Sequence, residues 1–430
     1  MLRSAPEPPP FDHRWLDQLA DGCRKLRGAH PRFEDLYLER RLEIRVAAGS
    51  EVASCRVEGA AARWRFPTRW AIHASAGVSS MEVAELVSRY SDRLEVPPSP
   101  PSPTIDLNPP RGWADWARKI TGRMADHNAV VRFLARRAVV VRRDGWRQIT
   151  SPSLVRLESN FRERAALLAV WGQPRLSRWI RALIEPRPGR ARSPSPGLQC
   201  PVIFTEGTAG ALLHELVGHL VEGDLIASGR SPLAGLGGAN LTEAAIDLID
   251  DPGRGDLPGA FDCDDEGVPA KPVKLMRGGR LCGLLCDRET AEACDVDPGR
   301  GRRADWRHPP VPRLSNLVVP AGDVDPQSIE ADVKHGLVVT RLSGATVDPI
   351  SSRTVLRVER GFEIRNGRRR LPLAPFELTG GVTEILSAID PAVGNDPTPD
   401  WRLGWCVKDG LPLPTGSEVP TLMVRRLEVL

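Results

Sequence analysis

Two patterns of apolar and polar positions divide the chain. In the first half, Trp15, Leu16, Leu19, Cys23 and Leu26 recur near helical spacing and predict an N-terminal helix. Leu42, Ile44 and Val46 then alternate with Glu43 and Arg45, which predicts a half-buried strand, and EVASCRVEGAAARWRFP reads as its antiparallel neighbour. Val83, Leu86 and Val87 form the stripe of a second helix that Ser79 or Ser80 can cap. GWADWARKITGRMADHNAVVRFLARRAVVV begins as helix and ends as strand, and Asp144-Gly145 marks a hairpin within VVVRRDGWRQI. A further helix is predicted over about residues 157–184, broken near Gly172-Gln173-Pro174. After residue 197 the pattern changes to short β-prone runs such as PVIFTE, GLVVTRLSG, TVLRVERGFEIRNG and TLMVRRLEVL, separated by Gly, Asp, Asn and Pro. These predict mostly antiparallel sheet, with a helix over residues 207–222 as the chief exception.

Two proline-rich stretches, residues 97–112 and 185–197, cannot form regular structure, and the second is placed at the main boundary. The expected fold class is therefore α+β. An N-terminal domain of mixed helix and antiparallel sheet (1–190) precedes a β-rich domain (198–430) that carries the 207–222 helix. A length of 430 residues supports real cores without disulfide staples, and the eight cysteines are scattered rather than arranged as a disulfide framework. The formal charge is +4, and the arginine-rich blocks are short and broken by acids. They read as solvated faces; with no nucleic-acid-binding motif beside them, direct binding of nucleic acid is not expected. No run approaches 18 apolar residues, so no membrane span is expected, and MLRSAPEPPPF lacks the apolar core of a signal peptide, which makes the cytoplasm the expected location.

The candidate chemistry centres on GTAGALLHELVGHLVEGD, residues 207–224. His214, Glu215 and His219 form HExxxH, one residue longer than the HExxH that sets two zinc-binding histidines on one helix face. On a straight α-helix the two histidines would point about 140° apart. A π-bulge, or a helix that ends near Gly218, would bring them together. The surrounding ALLHELVGHLV is strongly apolar, and a buried Glu215 beside two histidines calls for a compensating cation. A catalytic zinc site wants a third protein ligand. Cys282 and Cys286 lie four apart in a strand-like segment, whereas Cys406 sits in a glycine-flanked loop, GWCVKDG; the residues alone leave the choice open. Asp264, Asp265 and Glu266 form an acid cluster that reads as a turn-forming surface, with calcium binding as the alternative.

An ordered series of motifs resembles the TldD/PmbA family. GALLHELVGHLVEGD, DCDDEGVPA, GRLCGLLCDRETA, GRGRRADWRHPPVPRLSNLVV, LTGGVTEILSAIDPAVGND and GWCVKDG follow one another as the family's motifs do, over about residues 205–430. Before residue 200 the resemblance is faint, and that half is short for the family. The resemblance implies a zinc-dependent peptidase of the TldD branch, with Zn²⁺ held by His214, His219 and Cys406 and with Glu215 as general base. The PmbA/TldE partners lack HExxxH, so the intact set argues for the catalytic type. Glu222 and Asp224 are expected to orient a ligand imidazole or close the helix end, and Lys408 or His335 to supply an oxyanion donor. The substrates implied are unfolded or unstructured peptides, including modified precursor peptides. The partner implied is a PmbA/TldE-like paralogue in a heterodimer, or a second copy in a homodimer. The alternative is a non-catalytic scaffold subunit of a TldD/TldE-type complex.

Overall fold

The computed structural model describes residues 11–25, 32–49, 52–66, 70–88, 109, 111–124, 128–159, 165–184, 191–401 and 404–430. Leu26, most of the stretch 97–112 and residues 185–190 of the second proline-rich stretch lie outside the described residues. The chain forms two compact units. One comprises Met1–Leu157 with two later segments, Phe261–Ala270 and Gly301–Val311; the other holds the rest.

The first unit is built on an antiparallel sheet. Its strands run in the spatial order Trp70–Ser75, Ala53–Arg65, Arg32–Ala47, Val130–Arg142, Leu154–Ser159, with Gly145–Thr150 hairpinned onto Val130–Arg142. Period-two alternation gives the sheet two apolar faces. On one, Leu36, Leu38, Ala60, Ala62, Val139 and Val141 pack with Trp15, Leu16 and Leu19 of helix His13–Lys25 and with Val83 and Val87 of helix Ser80–Ser88. Ser79 caps the latter: Glu82 N–H donates to Ser79 Oγ at 3.3 Å, and Ser79 N–H donates to the Glu82 carboxylate at 2.9 Å. On the other face, Tyr37, Ala61, Ala138 and Val140 meet Cys263 and Trp306 from the two late segments. Gly59 makes room here, because a Cβ would fall 2.1 Å from the Trp306 ring.

The same late segments carry charge into this unit. Arg63 pairs with Asp35 and Glu266, both at 2.5 Å; Arg136 pairs with Glu39 at 2.7 Å and Asp265 at 2.5 Å; Arg303 reaches Asp35 at 3.3 Å. Asp264 accepts backbone N–H groups from Glu266, Val268 and Gly301. The acid cluster is therefore not a surface turn. Asp264, Asp265 and Glu266 are at most 2% exposed, and arginines and backbone amides satisfy them, which leaves no need for calcium.

The predicted helix over 157–184 is corrected. Leu154–Ser159 and Ala165–Val170 are strands, and only Leu176–Ile184 is helical. Val155, Leu157 and Ser159 are buried while Arg156 and Glu158 are partly exposed, a period of two; the following AALLAV is a short apolar run, the kind that periodicity cannot assign.

The second unit contains a strand ring. His335–Asp348, Gln199–Phe204, Leu422–Val429, Phe376–Gly381 and Arg353–Arg365 pair in that order, and Arg353–Arg365 also pairs with His335–Asp348. A second sheet includes Leu248–Asp250, Asn316–Val318, Gly416–Val419 and Thr398–Asp400. Two of the pairings are parallel rather than antiparallel. The helix beginning at Ala209 is buried in this unit's apolar core through Leu212, Leu213, Leu216, Val217 and Leu220. Each such side chain contributes about 1.5–3 kcal/mol. The segment GRLCGLLCDRETA runs from strand Arg280–Leu281 into helix Arg288–Cys294, where the Asp287 side chain accepts the Thr290 N–H.

Candidate metal centre

The buried helix changes hydrogen-bond register at the histidines. Ala209–Leu213 is α-helical, His214–Gly218 is a π turn and His219–Val221 is a 3₁₀ turn. His219 N–H donates to the His214 carbonyl, an i→i+5 bond, so the two imidazoles rise on one side with ring centroids 4.8 Å apart. Gly218 is required at this turn for space rather than for a special φ: a Cβ there would lie 2.3 Å from Leu314 Cδ2.

GWCVKDG, read as a loop, is one side of a hairpin. Strands Trp405–Lys408 and Leu411–Pro414 pair across Asp409-Gly410, both at positive φ (52° and 77°). Two adjacent left-handed residues of the type Asp-Gly make the tight turn that matches strand twist. Alternation along the strand puts Cys406 and Lys408 on one face and turns Val407, 59% exposed, to the other.

The hairpin and the helix bring three donors together. Cys406 Sγ lies 3.3 Å from His219 Nε2, and the ligand atoms of His214, His219 and Cys406 all fall within 4.8 Å of one another. With bond lengths of about 2.0 Å to nitrogen and 2.3 Å to sulfur, tetrahedral zinc spaces such atoms about 3.5 Å apart. The donor set of two imidazoles and a thiolate thus fits zinc.

The charges around the donors are arranged in a chain. His219 Nδ1 faces Glu222 Oε1 at 3.3 Å, which leaves Nε2 on the side of Cys406. Lys408 Nζ donates to Glu222 Oε2 at 2.7 Å and to Asp224 Oδ1 at 2.8 Å. Burial alone would lower the pKa of His219, but the Cys406 thiolate and Glu222 hold it well above its ordinary 6.5. Burial would raise the Cys406 thiol, yet His219 and His214 hold it well below 9.0. Burial likewise opposes ionisation of Glu222, and His219, Lys408 and Arg313 overcome it, placing the carboxyl at about 2.

Arg313 is the residue that sequence reasoning passed over. It is fully buried and donates to Cys406 Sγ at 3.1 Å, to the Cys406 carbonyl at 2.6 Å and to the Leu411 carbonyl at 3.1 Å. The signal was a lone arginine inside the VPRLSN motif, with nothing local to show that its partner lay in the hairpin.

His214, His219 and Cys406 line a cavity of about 570 Å³. Glu215, Glu222, Asp224 and Lys408 contribute to its wall along with the three donors, and so do Ser343–Val347 of the strand His335–Asp348. That strand pairs with Gln199–Phe204 only at Leu337–Val339, so at 343–347 the edge facing away from Arg353–Arg365 has no strand partner among the described residues. His335 is not brought to the site: it begins the strand, is exposed and is absent from the cavity wall. Lys408 reaches the site but is engaged with two carboxylates rather than turned to a substrate oxygen. Cys282 and Cys286 stay apart from the three donors. Cys282 is exposed and bonds to the Lys274 carbonyl, and Cys286 is buried against Gly223.

The family model for the PmbA/TldA metallopeptidase C-terminal domain matches residues 197–430. The chain belongs to the PmbA/TldD family. Within that family it is 31% identical over 236 residues to the metalloprotease TldD homolog of Haemophilus influenzae, covering 55% of this chain and 49% of that protein. It is 25% identical over 246 residues to the zinc metalloprotease TldD homolog of Saccharolobus solfataricus, covering 56% of this chain and 53% of that protein. The chain thus spans about half the length of the curated relatives it matches. TldE from Thermococcus kodakarensis has the same α+β fold, with a TM-score of 0.69 at 17% identity over 92% of this chain and 95% of that one. Among the described residues, no helix of this PmbA/TldD-family chain is long and apolar enough to cross a membrane.

Proposed function

We propose that the protein is a zinc-dependent peptidase of the TldD type that hydrolyses unfolded or unstructured peptides. The observation that carries this reading is the convergence of His214, His219 and Cys406, beside Glu215, on a cavity walled by an unpaired strand edge. The name of the Saccharolobus relative supports zinc as the metal.

When bound, zinc supplies a Lewis acid that polarises the scissile carbonyl and acidifies water. The chain's own groups do the rest. His214, His219 and the Cys406 thiolate hold the ion. Glu222 fixes the tautomer and orientation of His219, Lys408 holds Glu222 in place, and Arg313 stabilises the thiolate. Glu215 takes a proton from the attacking water and returns it to the leaving amine. The edge at Ser343–Val347 receives an extended peptide as an added strand, which reads backbone rather than sequence and excludes folded chains. Modified precursor peptides are substrates of this kind. A PmbA/TldE-like paralogue or a second copy completes the working assembly, which operates in the cytoplasm.

The test is zinc content per chain together with cleavage of casein by wild type and Glu215→Gln. Zinc in both and cleavage in wild type alone are expected, with a loss of about 10²-fold or more. Absence of zinc from wild type refutes the site. Zinc without cleavage, with a TldE-like partner supplied, refutes the peptidase reading in favour of a scaffold role.

A further inference from the structure

A second cavity of about 890 Å³ lies in the same unit as the metal centre. Six arginines line it: Arg175, Arg178, Arg181, Arg341, Arg360 and Arg369. Among the described residues, three acids share the wall, and each is already engaged. Glu330 receives Arg369 Nε at 3.1 and 2.9 Å, Asp396 accepts the Thr421 N–H and hydroxyl at 2.9 Å each, and Glu206 lies within electrostatic reach of Arg369. Arg341 pairs at 2.9 Å with Glu359, outside the wall. The cavity therefore carries a surplus of positive charge.

The surplus is concentrated at the start of helix Leu176–Ile184. Arg175 precedes its first residue and its carbonyl accepts the Arg178 and Trp179 N–H groups; Arg178 and Arg181 follow at intervals of three, the spacing of neighbours on one helix face, and all three are exposed. None of the three is hydrogen-bonded to a carboxylate among the described residues, although Arg175 lies within electrostatic reach of Asp256, which Arg254 already pairs. At 1.5 Å per residue they span about 9 Å, the length of about three residues of extended chain. A guanidinium is a forked donor matched to carboxylate and phosphate. The aromatic residues of the wall are Trp179, Trp401 and Phe362. The tryptophans stack on each other at 6.1 Å and are only 7% and 5% exposed, and Arg369 lies over the Phe362 ring at 5.7 Å. Faces already occupied in this way are poor platforms for a base, which disfavours nucleic acid.

This cavity and the metal cavity share two structural elements. On the strand His335–Asp348, Thr340 and Arg341 line the arginine cavity, and Ser343–Val347 line the metal cavity. Likewise Thr398 and Trp401 line the former and Asp400 the latter. We propose that the arginine cavity is a docking site for a short acidic stretch of a peptide, three or four carboxylate-bearing residues long. As an exosite it would favour acidic peptides for the metal centre, and in that respect it rests on the peptidase reading.

The test measures binding of fluorescein-labelled pentaglutamate to the full chain carrying Glu215→Gln, by anisotropy at low and high salt. Binding that weakens about tenfold or more in Arg175→Glu/Arg178→Glu, but not in the surface control Arg426→Glu, supports the proposal. Circular dichroism and Arg178→Gln guard against misfolding, and the glutamine variant should give a smaller loss in the same direction. Pentalysine should not bind. No binding at low salt, or equal binding in the charge-reversed variant, overturns the proposal. So does displacement of the peptide by millimolar inorganic phosphate or by an oligouridylate at equal charge, which would assign the cavity to a free anion or to RNA. Hydrolysis is not read in this assay. Acidic-peptide binding in a chain that cleaves nothing would leave the docking site standing and the peptidase reading refuted.

Discussion

Glu222→Gln probes whether the charge chain behind the proposed metal ligands works as the geometry says. The substitution keeps the size of the side chain and removes its charge. His219 Nδ1, now 3.3 Å from a carboxylate oxygen, would face a neutral amide, and Lys408 would keep Asp224 as its one close carboxylate. Outer partners of a ligand imidazole are worth about 10–100-fold in metal affinity, or about 1.4–2.7 kcal/mol. Zinc competition against a chromophoric chelator on the purified chain should show a loss in that range, whereas Glu215→Gln should bind zinc as wild type does. A second signature appears in the metal-free chain. The Glu222 carboxyl sits at about 2 rather than 4.5, so its folded value is depressed and its stabilisation is present above pH 4.5. That contribution, on the order of 3 kcal/mol, is lost as the pH falls toward 2. Urea unfolding of chelator-stripped protein should therefore show wild type well above Glu222→Gln at pH 7 and the gap closing in acid. Zinc affinity unchanged within twofold, or a stability gap that does not depend on pH, would refute the charge chain.

Arg313→Met should release the thiolate from its buried donor. Reduced zinc affinity and slower alkylation of Cys406 in the stripped chain are expected, with alkylation followed by peptide mass mapping; an unaltered labelling rate would show that Arg313 only braces the Leu411 carbonyl. Gly218→Ala would place a methyl 2.3 Å from Leu314 Cδ2. The expected cost is about 1–3 kcal/mol, visible as a lowered melting temperature together with weaker zinc binding, because the π turn that unites His214 and His219 must shift. A variant with wild-type melting and zinc content would show that Leu314 yields freely.

The geometry of the candidate site was more legible than the fold around it. HExxxH declares its own difficulty: five-residue spacing cannot serve one ion on an α-helix, and the π turn at His214–Gly218 is the distortion that spacing requires. The third donor was not legible from spacing, since Cys406 arrives from 187 residues away on a hairpin. The Asp-Gly pair announced that hairpin as plainly as Asp144-Gly145 announced the earlier one, but short flanking runs broken by prolines hid its strands. Arg313 and Lys408 could not be assigned locally, because the partners that give them meaning are set by tertiary packing. The acid cluster misled for the same reason: Asp264, Asp265 and Glu266 look like a hydrophilic turn until Arg63 and Arg136 are placed beside them.

The first unit takes two of its segments from far downstream, and this has a consequence for how the protein is made. Synthesis is vectorial, and early domains ordinarily fold as they leave the ribosome. Here the nascent sheet would carry Arg63 and Arg136 with two of their carboxylates, Glu266 and Asp265, still untranslated. The hole beside Gly59 would also wait for Trp306. The sheet that precedes Leu157 is thus unfinished until residue 311 has emerged, and a fragment cut within residues 185–197 would leave Arg63 and Arg136 without Glu266 and Asp265.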